Sequence, residues 1–438
     1  MSHMGNALAL RPQAPPPDFR RTSRRRKSRS GAFGVLDIGT TKIVCVIARI
    51  ESDGVPRALG FGWQRARGIR EGSIVDMAEA EHAIRAAVAG AEEMADTLLQ
   101  GVIVNLSCGQ PASQTLNILW QVGGRAATEG DLSAILGEAR RRVETVGREP
   151  VHSIPLGFLV DATGGVDDPR GMVCDTLTGK LHLVDASSNA LANMAQTLAR
   201  CDLEAEELVS SPFAAGLATL VEDEQELGAV CVDMGGGTTA MACFAEGRLA
   251  HTAQLPVGGW QVTNDLARLL STPLAHAERL KTMHGSVLEA AEDRHDLLPV
   301  PLVGEDDDQI ARIPREMVVR IIKPRLEETF ELLRDRLEGS PIPKEMRRRI
   351  VLTGGASQLV GARELAARVL GRDVTVRTGR PKQVRGLPET ASGPAFAGVI
   401  GLMAWAAGEG RPMLDIAPAA QARSGLMARF MAWLRTAR

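Results

Sequence analysis

Tyrosine is absent from this chain of 438 residues, and Phe, Trp and Tyr together make up only 3% of it. That poverty argues against a surface that stacks nucleic-acid bases on aromatic rings, so no nucleic-acid partner is expected. Cysteine is sparse and scattered over positions 45, 108, 174, 201, 231 and 243, with no C-x-x-C and no adjacent histidine pair. Neither a disulfide framework nor a zinc site fits such spacing, which favours a reducing cytoplasm. No apolar run approaches the ~18–20 residues of a membrane span. The amino end, "MSHMGNALALRPQAPPPDFRRTSRRRKSRSG", is rich in Pro and Arg and lacks the apolar segment of a secretory signal. Two phosphate-binding signatures are also missing. No G-x-x-x-x-G-K-[ST] occurs, which excludes a P-loop, and no G-x-G-x-x-G follows a first strand, which counts against a Rossmann site.

What is present fits a soluble globular protein, with 44% hydrophobic and 24% charged residues. The length implies roughly two to four domains. The net charge of −2 hides an uneven distribution. Met1–Ala32 holds eight basic residues against Asp18 alone, and Arg423–Arg438 holds four arginines and no acid. An acidic body therefore lies between two basic ends, a pattern suited to ends that touch something anionic.

Along the chain, residues 1–32 lack the apolar content to fold and are expected to be a disordered basic tail. Lobe one begins at Phe33 with the hairpin "VLDIGTTKIVCVIA", a third strand near "PRALGFGWQ", and the helix "DMAEAEHAIRAAVAGAEEMADTLL". The first part of lobe one closes with the buried-type strand "GVIVNLS", at about residue 106. Residues 107–187 differ in texture: alternating strands ("SQTLNILW", "GKLHLVDA") flank the helix "EGDLSAILGEARRRVETV". Gly123-Gly124 and "DATGGVDDPRG" are expected to separate these pieces, giving a small inserted α+β subdomain. Residues 188–228 return to lobe one, with the helix "PFAAGLATLVED", and 229–391 form lobe two, helix-rich over about 260–339. The closing helix "GPAFAGVIGLMAWAAG" (392–407) is followed by a linker (408–422) and a terminal helix (423–438).

The chemistry sits in two turns. In each of "VLDIGTTK" and "VCVDMGGGTT" an apolar strand ends in an Asp and runs into a Gly/Thr turn. Such a turn aims several backbone N–H groups at one concave spot, a nest for phosphate oxygens, and Thr hydroxyls add donors. Gly39, Thr40 and Thr41 form the first nest; Gly235, Gly236, Gly237 and Thr238 form the second. Asp37 and Asp233 at the strand ends suit a hydrated Mg²⁺, which takes few protein ligands, and Lys42 supplies a point charge. One such turn is a common plain hairpin. Two copies in tandem α/β units imply a duplicated fold whose halves clasp a polyphosphate and its metal. A third Gly-rich element, "IVLTGGAS", places Gly354, Gly355 and Ala356 where backbone can lie against a base or ribose.

The motifs "LDIGTTK", "VDMGGGTT", "VLTGGAS" and "SPFAAGLATL" resemble the phosphate, adenosine and connecting motifs of the actin-like ATPase superfamily. With "DPRGMVCDTLTGKLHLV", "AERLKTMHG" and "LMARFMAWLRTAR", the chain from Phe33 onward is similar to the bacterial cell-division FtsA family. The resemblance implies an α/β, two-lobed actin-like fold of duplicated ribonuclease H-like units, with the α+β subdomain inserted in lobe one. It further implies ATP and Mg²⁺ between the lobes, self-assembly into protofilaments and contact with other division proteins. Glu278 and Lys281 then flank the nucleoside, although their i,i+3 spacing alone fits an ordinary solvated helix face. The family also implies a grip on the FtsZ C-terminal tail, with Arg315 as the matching position, and location at the division site on the cytoplasmic face of the inner membrane. Hydrolysing relatives place a Glu or Gln just before the Pro of the connecting helix. Here the residues are Ser210-Ser211-Pro212, and a serine is a poor general base, so at most slow ATP turnover is expected, with Asp37 and Asp233 as candidate metal and water ligands.

At the carboxyl end, Leu426, Met427, Phe430, Met431, Trp433 and Leu434 fall on one helical stripe, with Arg429 and Arg435 away from it. This is the composition of a helix lying in an anionic lipid interface. Other readings are a peptide-binding pilus-assembly protein of the same fold, or a sugar or acid kinase. The terminal helix argues against both, and no catalytic Asp in a substrate cleft can be assigned for a kinase.

Overall fold

The computed structural model describes residues 31–144, 147–304 and 310–411. Two five-stranded sheets share one plan. In lobe one, Ala32–Ile38, Lys42–Ile50 and Pro56–Arg65 form an antiparallel meander, and the first strand also pairs in parallel with Gly101–Leu106, itself parallel to Glu204–Ser210. Lobe two repeats this order with the meander Ala229–Met234, Thr239–Ala245 and Arg248–Leu255, and the parallel partners Arg349–Thr353 and Thr375–Thr378. The twin turns thus arise from twin folds.

Val35 and Leu36 are both fully buried although they point to opposite faces, as expected for a sheet covered on both sides. The helix Met77–Ala95 covers one face, and Gly60 and Gly62 let it approach, since a Cβ at either would lie 2.0 Å from a helix carbonyl oxygen. Asp76 caps this helix by accepting from the N–H groups of Ala78 and Glu79. It stops at Ala95, short of the "TLL" expected in it, because Asp96 turns left-handed at φ 48°. The other face packs on helices Ser211–Thr219 and Ala397–Ala406, which join the lobes. These two cross closely at Gly401, where a Cβ would sit 1.7 Å from the Ala214 oxygen.

The inserted sheet has the order Ala112–Ala126, Val173–Ser187, Arg148–Val160, Thr163–Val166. Gly123 and Gly124 do not end a strand: they lie inside Ala112–Ala126 at φ +76° and +74°, where the pairing slips between Cys174 and Thr176. Positive φ at an extra residue is how a bulge is accommodated, so the glycines bend the strand instead of breaking it. The helix-rich stretch of lobe two contains Gly259–Leu269, Leu274–His284 and Arg315–Glu338, but also an unforeseen hairpin of Leu297–Pro301 with Ile310–Pro314. The stripe Leu426, Met427, Phe430, Met431, Trp433 and Leu434, with Arg429 and Arg435, lies outside the described residues, as does nearly all of the basic amino tail.

Candidate functional site

The two strand–turn units bring their turns face to face. Each turn is closed from within, Gly39 N–H donating to the Lys42 oxygen (3.0 Å) and Gly235 N–H to the Thr238 oxygen (2.8 Å). The carbonyls of Gly235 and Gly236 accept from Gly259 (2.9 Å) and Trp260 (2.7 Å) at the start of the next helix. A trans peptide places N–H opposite C=O, so the N–H groups of Gly236 and Gly237 point away from that helix. Across the gap the turns nearly touch. A Cβ on Gly236 would lie 2.4 Å from Thr41 Cγ2, and one on Gly237 2.5 Å from Thr40 Oγ1 and 3.0 Å from Glu71 Cα.

Asp37, Gly39, Thr40, Thr41, Lys42, Asp233, Gly235, Gly236, Gly237, Thr238, Gly354 and Gly355 line one cleft. Burial raises the pKa of Asp37. Asp233 is pushed up to about 7, by burial first and then by the negative charge of Asp37. Two carboxylates that oppose each other's ionisation are the donors a divalent cation satisfies, because the ion supplies the missing positive charge. Backbone without side chains preserves the space around them. A Cβ on Gly354 would meet Asp233 Oδ1 at 2.4 Å, and one on Gly398 would meet Asp37 Oδ2 at 3.0 Å. The residues therefore fit a hydrated Mg²⁺ beside phosphates. The Lys42 ammonium bonds the Ala395 carbonyl and sits 4.8 Å from the centre of the Phe396 ring, at the edge of this cleft.

A second chamber, about 1070 Å³ including space open to solvent, continues from the first and is lined by Glu278, Lys281, Arg315, Gly355 and Ala356 among others. Ligand sites of drug size occupy roughly 300–1,000 Å³, so a nucleoside fits with room to spare. Lys281 is held in place by the Gly259 oxygen (3.0 Å), Thr263 Oγ1 (2.8 Å) and Glu278 Oε2 (2.7 Å). The i,i+3 pair is thus a fixed wall of the chamber. Arg315 is placed there too: its guanidinium bonds Asp293 and the His284 carbonyl.

Several site residues escaped the sequence reading. Asn105 is buried, accepts from Ile38 N–H (2.7 Å) and donates to Ser211 Oγ (3.1 Å), tying the end of the strand Ala32–Ile38 to the connecting helix. Ser211 in turn donates to the Leu106 oxygen (2.9 Å). A lone Asn inside the apolar "GVIVNLS" was the available signal. Ser107, Ala395 and Gly398 also line the cleft, and nothing local in the sequence marks them.

Residues 230–401 match the family described as cell division protein FtsA, and residues 108–185 match the SHS2 domain inserted in FtsA. The cell division protein FtsA of Rhizobium meliloti (strain 1021) is 44% identical over 386 residues, covering 86% of this chain and 87% of the relative. Among solved structures, the PilM–PilN type IV pilus biogenesis complex superposes with a TM-score of 0.60 at 18% identity, over 86% of this chain and 98% of that one. MreB5 of Spiroplasma citri bound to ADP gives 0.51 at 13% identity, over 84% and 94%. These two establish the actin-like fold alone. With the inserted domain and the sequence relatives, the chain is an actin-like cell-division protein and belongs to the cell division protein FtsA family.

Proposed function

We propose that the chain binds Mg-ATP between its lobes, polymerises into protofilaments, and ties FtsZ filaments to the cytoplasmic face of the inner membrane at the division site, where later division proteins join. One observation carries the nucleotide part: Gly/Thr turns from duplicated lobes meet over two half-buried carboxylates. The N–H groups of Gly236 and Gly237 and the hydroxyls of Thr40 and Thr41 bind phosphate oxygens. Asp37 and Asp233 hold the water shell of Mg²⁺, which when bound neutralises phosphate charge. Glu278 and Lys281 hold the nucleoside, with Gly354, Gly355 and Ala356 against it.

Turnover is slow in this reading, because Ser211 occupies the water-orienting position and its hydroxyl is already committed to Leu106. Nucleotide then acts as a structural ligand and switch. The FtsZ tail, rich in carboxylates, docks on lobe two near the helix Arg315–Glu338. Arg315 contributes by fixing the start of that helix, since Asp293 already occupies part of its guanidinium. Arg320 also has an acidic partner, Glu316 one turn away (2.9 Å), but its side chain is 69% exposed against 26% for Arg315 and is better placed to meet a peptide. Flotation with anionic liposomes, with and without FtsZ and ATP, tests the whole reading. The chain should carry FtsZ to the membrane fraction; FtsZ left in solution beside floated protein would remove the adaptor role.

A further inference from the structure

The inserted subdomain leaves and re-enters lobe one, yet its hydrogen bonds reach lobe two. The Ser113 hydroxyl donates to the Thr252 carbonyl and accepts from the Thr252 N–H, both at 2.9 Å, and lies 3.1 Å from His251 Nδ1. Thr252 lies on Arg248–Leu255, the edge strand of the lobe-two sheet. Further along the same strand, Arg248 donates to the Leu156 carbonyl (2.9 Å) and pairs with Asp167 (2.6 Å). At its other end, Gln254 donates to the Ser107 carbonyl (3.0 Å) where the insert begins.

We propose that this seam is a latch between the lobes, which must part for a ligand to enter or leave the cleft. The inference rests on the nucleotide reading for its ligand, and on geometry for its motion. The opposed turns at Gly236 and Thr41 are too close for a polyphosphate to pass between them without separation of the lobes. The pivot is the close crossing of Ser211–Thr219 on Ala397–Ala406, so lobe movement shears the hydrogen bonds that join the insert to lobe two's edge strand.

The seam is built to yield. His182 lies beneath it, fully buried, with neither ring nitrogen bonded, and Thr252 Oγ1 is also without a partner. The pairing of His182 with Thr115 and Ile154, and of Val184 with Ser113 and His152, puts all of these on the insert face turned to the edge strand. Opening lets water reach the unbonded groups, which offsets part of the cost of the broken bonds. The ion pair with Asp167, 62% exposed, adds little of its own. The result is a contact specific enough to define the closed form and weak enough to release it.

The test uses the full chain carrying Ser113→Ala with Asp167→Asn, which change a part-buried hydroxyl and an exposed carboxylate and remove no apolar core side chain. Release of a fluorescent ATP analogue should quicken roughly tenfold, the size expected when hydrogen bonds unique to the closed form are lost. Lobe separation is measured independently by spin labels at Leu98→Cys and Leu269→Cys, both exposed, while the six native cysteines are buried. The variant's distance distribution should broaden toward longer values. Unchanged release together with an unchanged distribution overturns the latch. If wild type binds no analogue, the nucleotide reading fails, and the distance distribution alone decides the latch.

Discussion

Gly236 shows how one missing side chain defines the cleft. A valine there would collide with Thr41 of the opposite lobe, so Gly236→Val wedges the turns apart besides crowding their N–H groups. Affinity for a fluorescent ATP analogue should fall more than about tenfold, and an unchanged affinity would remove the two-turn site. A different residue-scale tension lies in the insert. Burial pushes His182 down to about 3 and His152 to about 4, with nearby His251 and His152 adding repulsion at His182 and Glu207 acting the other way at His152. A histidine whose folded pKa is lowered binds fewer protons folded than unfolded. Its stabilising contribution is whole above pH ~6.5 and shrinks as pH falls toward the folded value. For His182 the loss between pH 7.5 and 5.5 is about 1 kcal/mol. His182→Leu removes both the proton effect and two unbonded nitrogens. Its Tm should match or exceed wild type at pH 7.5, and should drop less on acidification to pH 5.5. An equal drop in both proteins would mean that His182 is hydrated and titrates freely.

At the scale of elements, the start of the helix Ser211–Thr219 decides what the cleft can do. Its first residue lines the cleft but is locked between Asn105 and Leu106. Purified protein should therefore bind ATP yet release phosphate far below the order of 1 s⁻¹, the lower end of ordinary enzymes. Turnover near that rate would require another residue to orient water. The two turns were legible because each carries its own chemistry in consecutive residues, and the fold needed only to duplicate them. The strand Arg148–Val160 was not, since Pro155 and Gly157 interrupt "VHSIPLGFLV" and its pairing with Val173–Ser187 skips the intervening strand Thr163–Val166. Arg315 is expected at the FtsZ-tail site from the family resemblance alone, and only tertiary structure brings Asp293 and the His284 carbonyl to it. Arg315→Glu would set two carboxylates together, so nucleotide as well as peptide affinity should change. Arg320→Glu should weaken the FtsZ-tail peptide alone, and a loss of ATP affinity there would merge the two sites.

For the whole molecule, the question is how a cleft between lobes could govern attachment to lipid. The described chain ends at Arg411, whose guanidinium bonds both oxygens of Glu207 (2.9 and 2.8 Å) and lies 4.7 Å from the Trp405 ring centre. Arg411 is thereby held against lobe one. The sequence beyond it carries the stripe of Leu426, Phe430, Trp433 and Leu434 with arginines beside it. Burying such a stripe gains roughly 25 cal/mol per Å² of apolar area, and each arginine near an anionic surface adds about 1 kcal/mol, screened by salt. One helix of this kind attaches weakly and reversibly, whereas a polymer presenting many copies binds through their combined effect. Membrane attachment should thus rise with assembly, and nucleotide that favours assembly would control it. Liposome co-sedimentation of wild type, Trp433→Glu and a truncation after Ala422 should show attachment lost in both variants, with the wild-type signal weaker at high salt. If the truncated protein sediments with liposomes as well as wild type does, the terminal helix is not the anchor, and the basic segment before Phe33 takes its place.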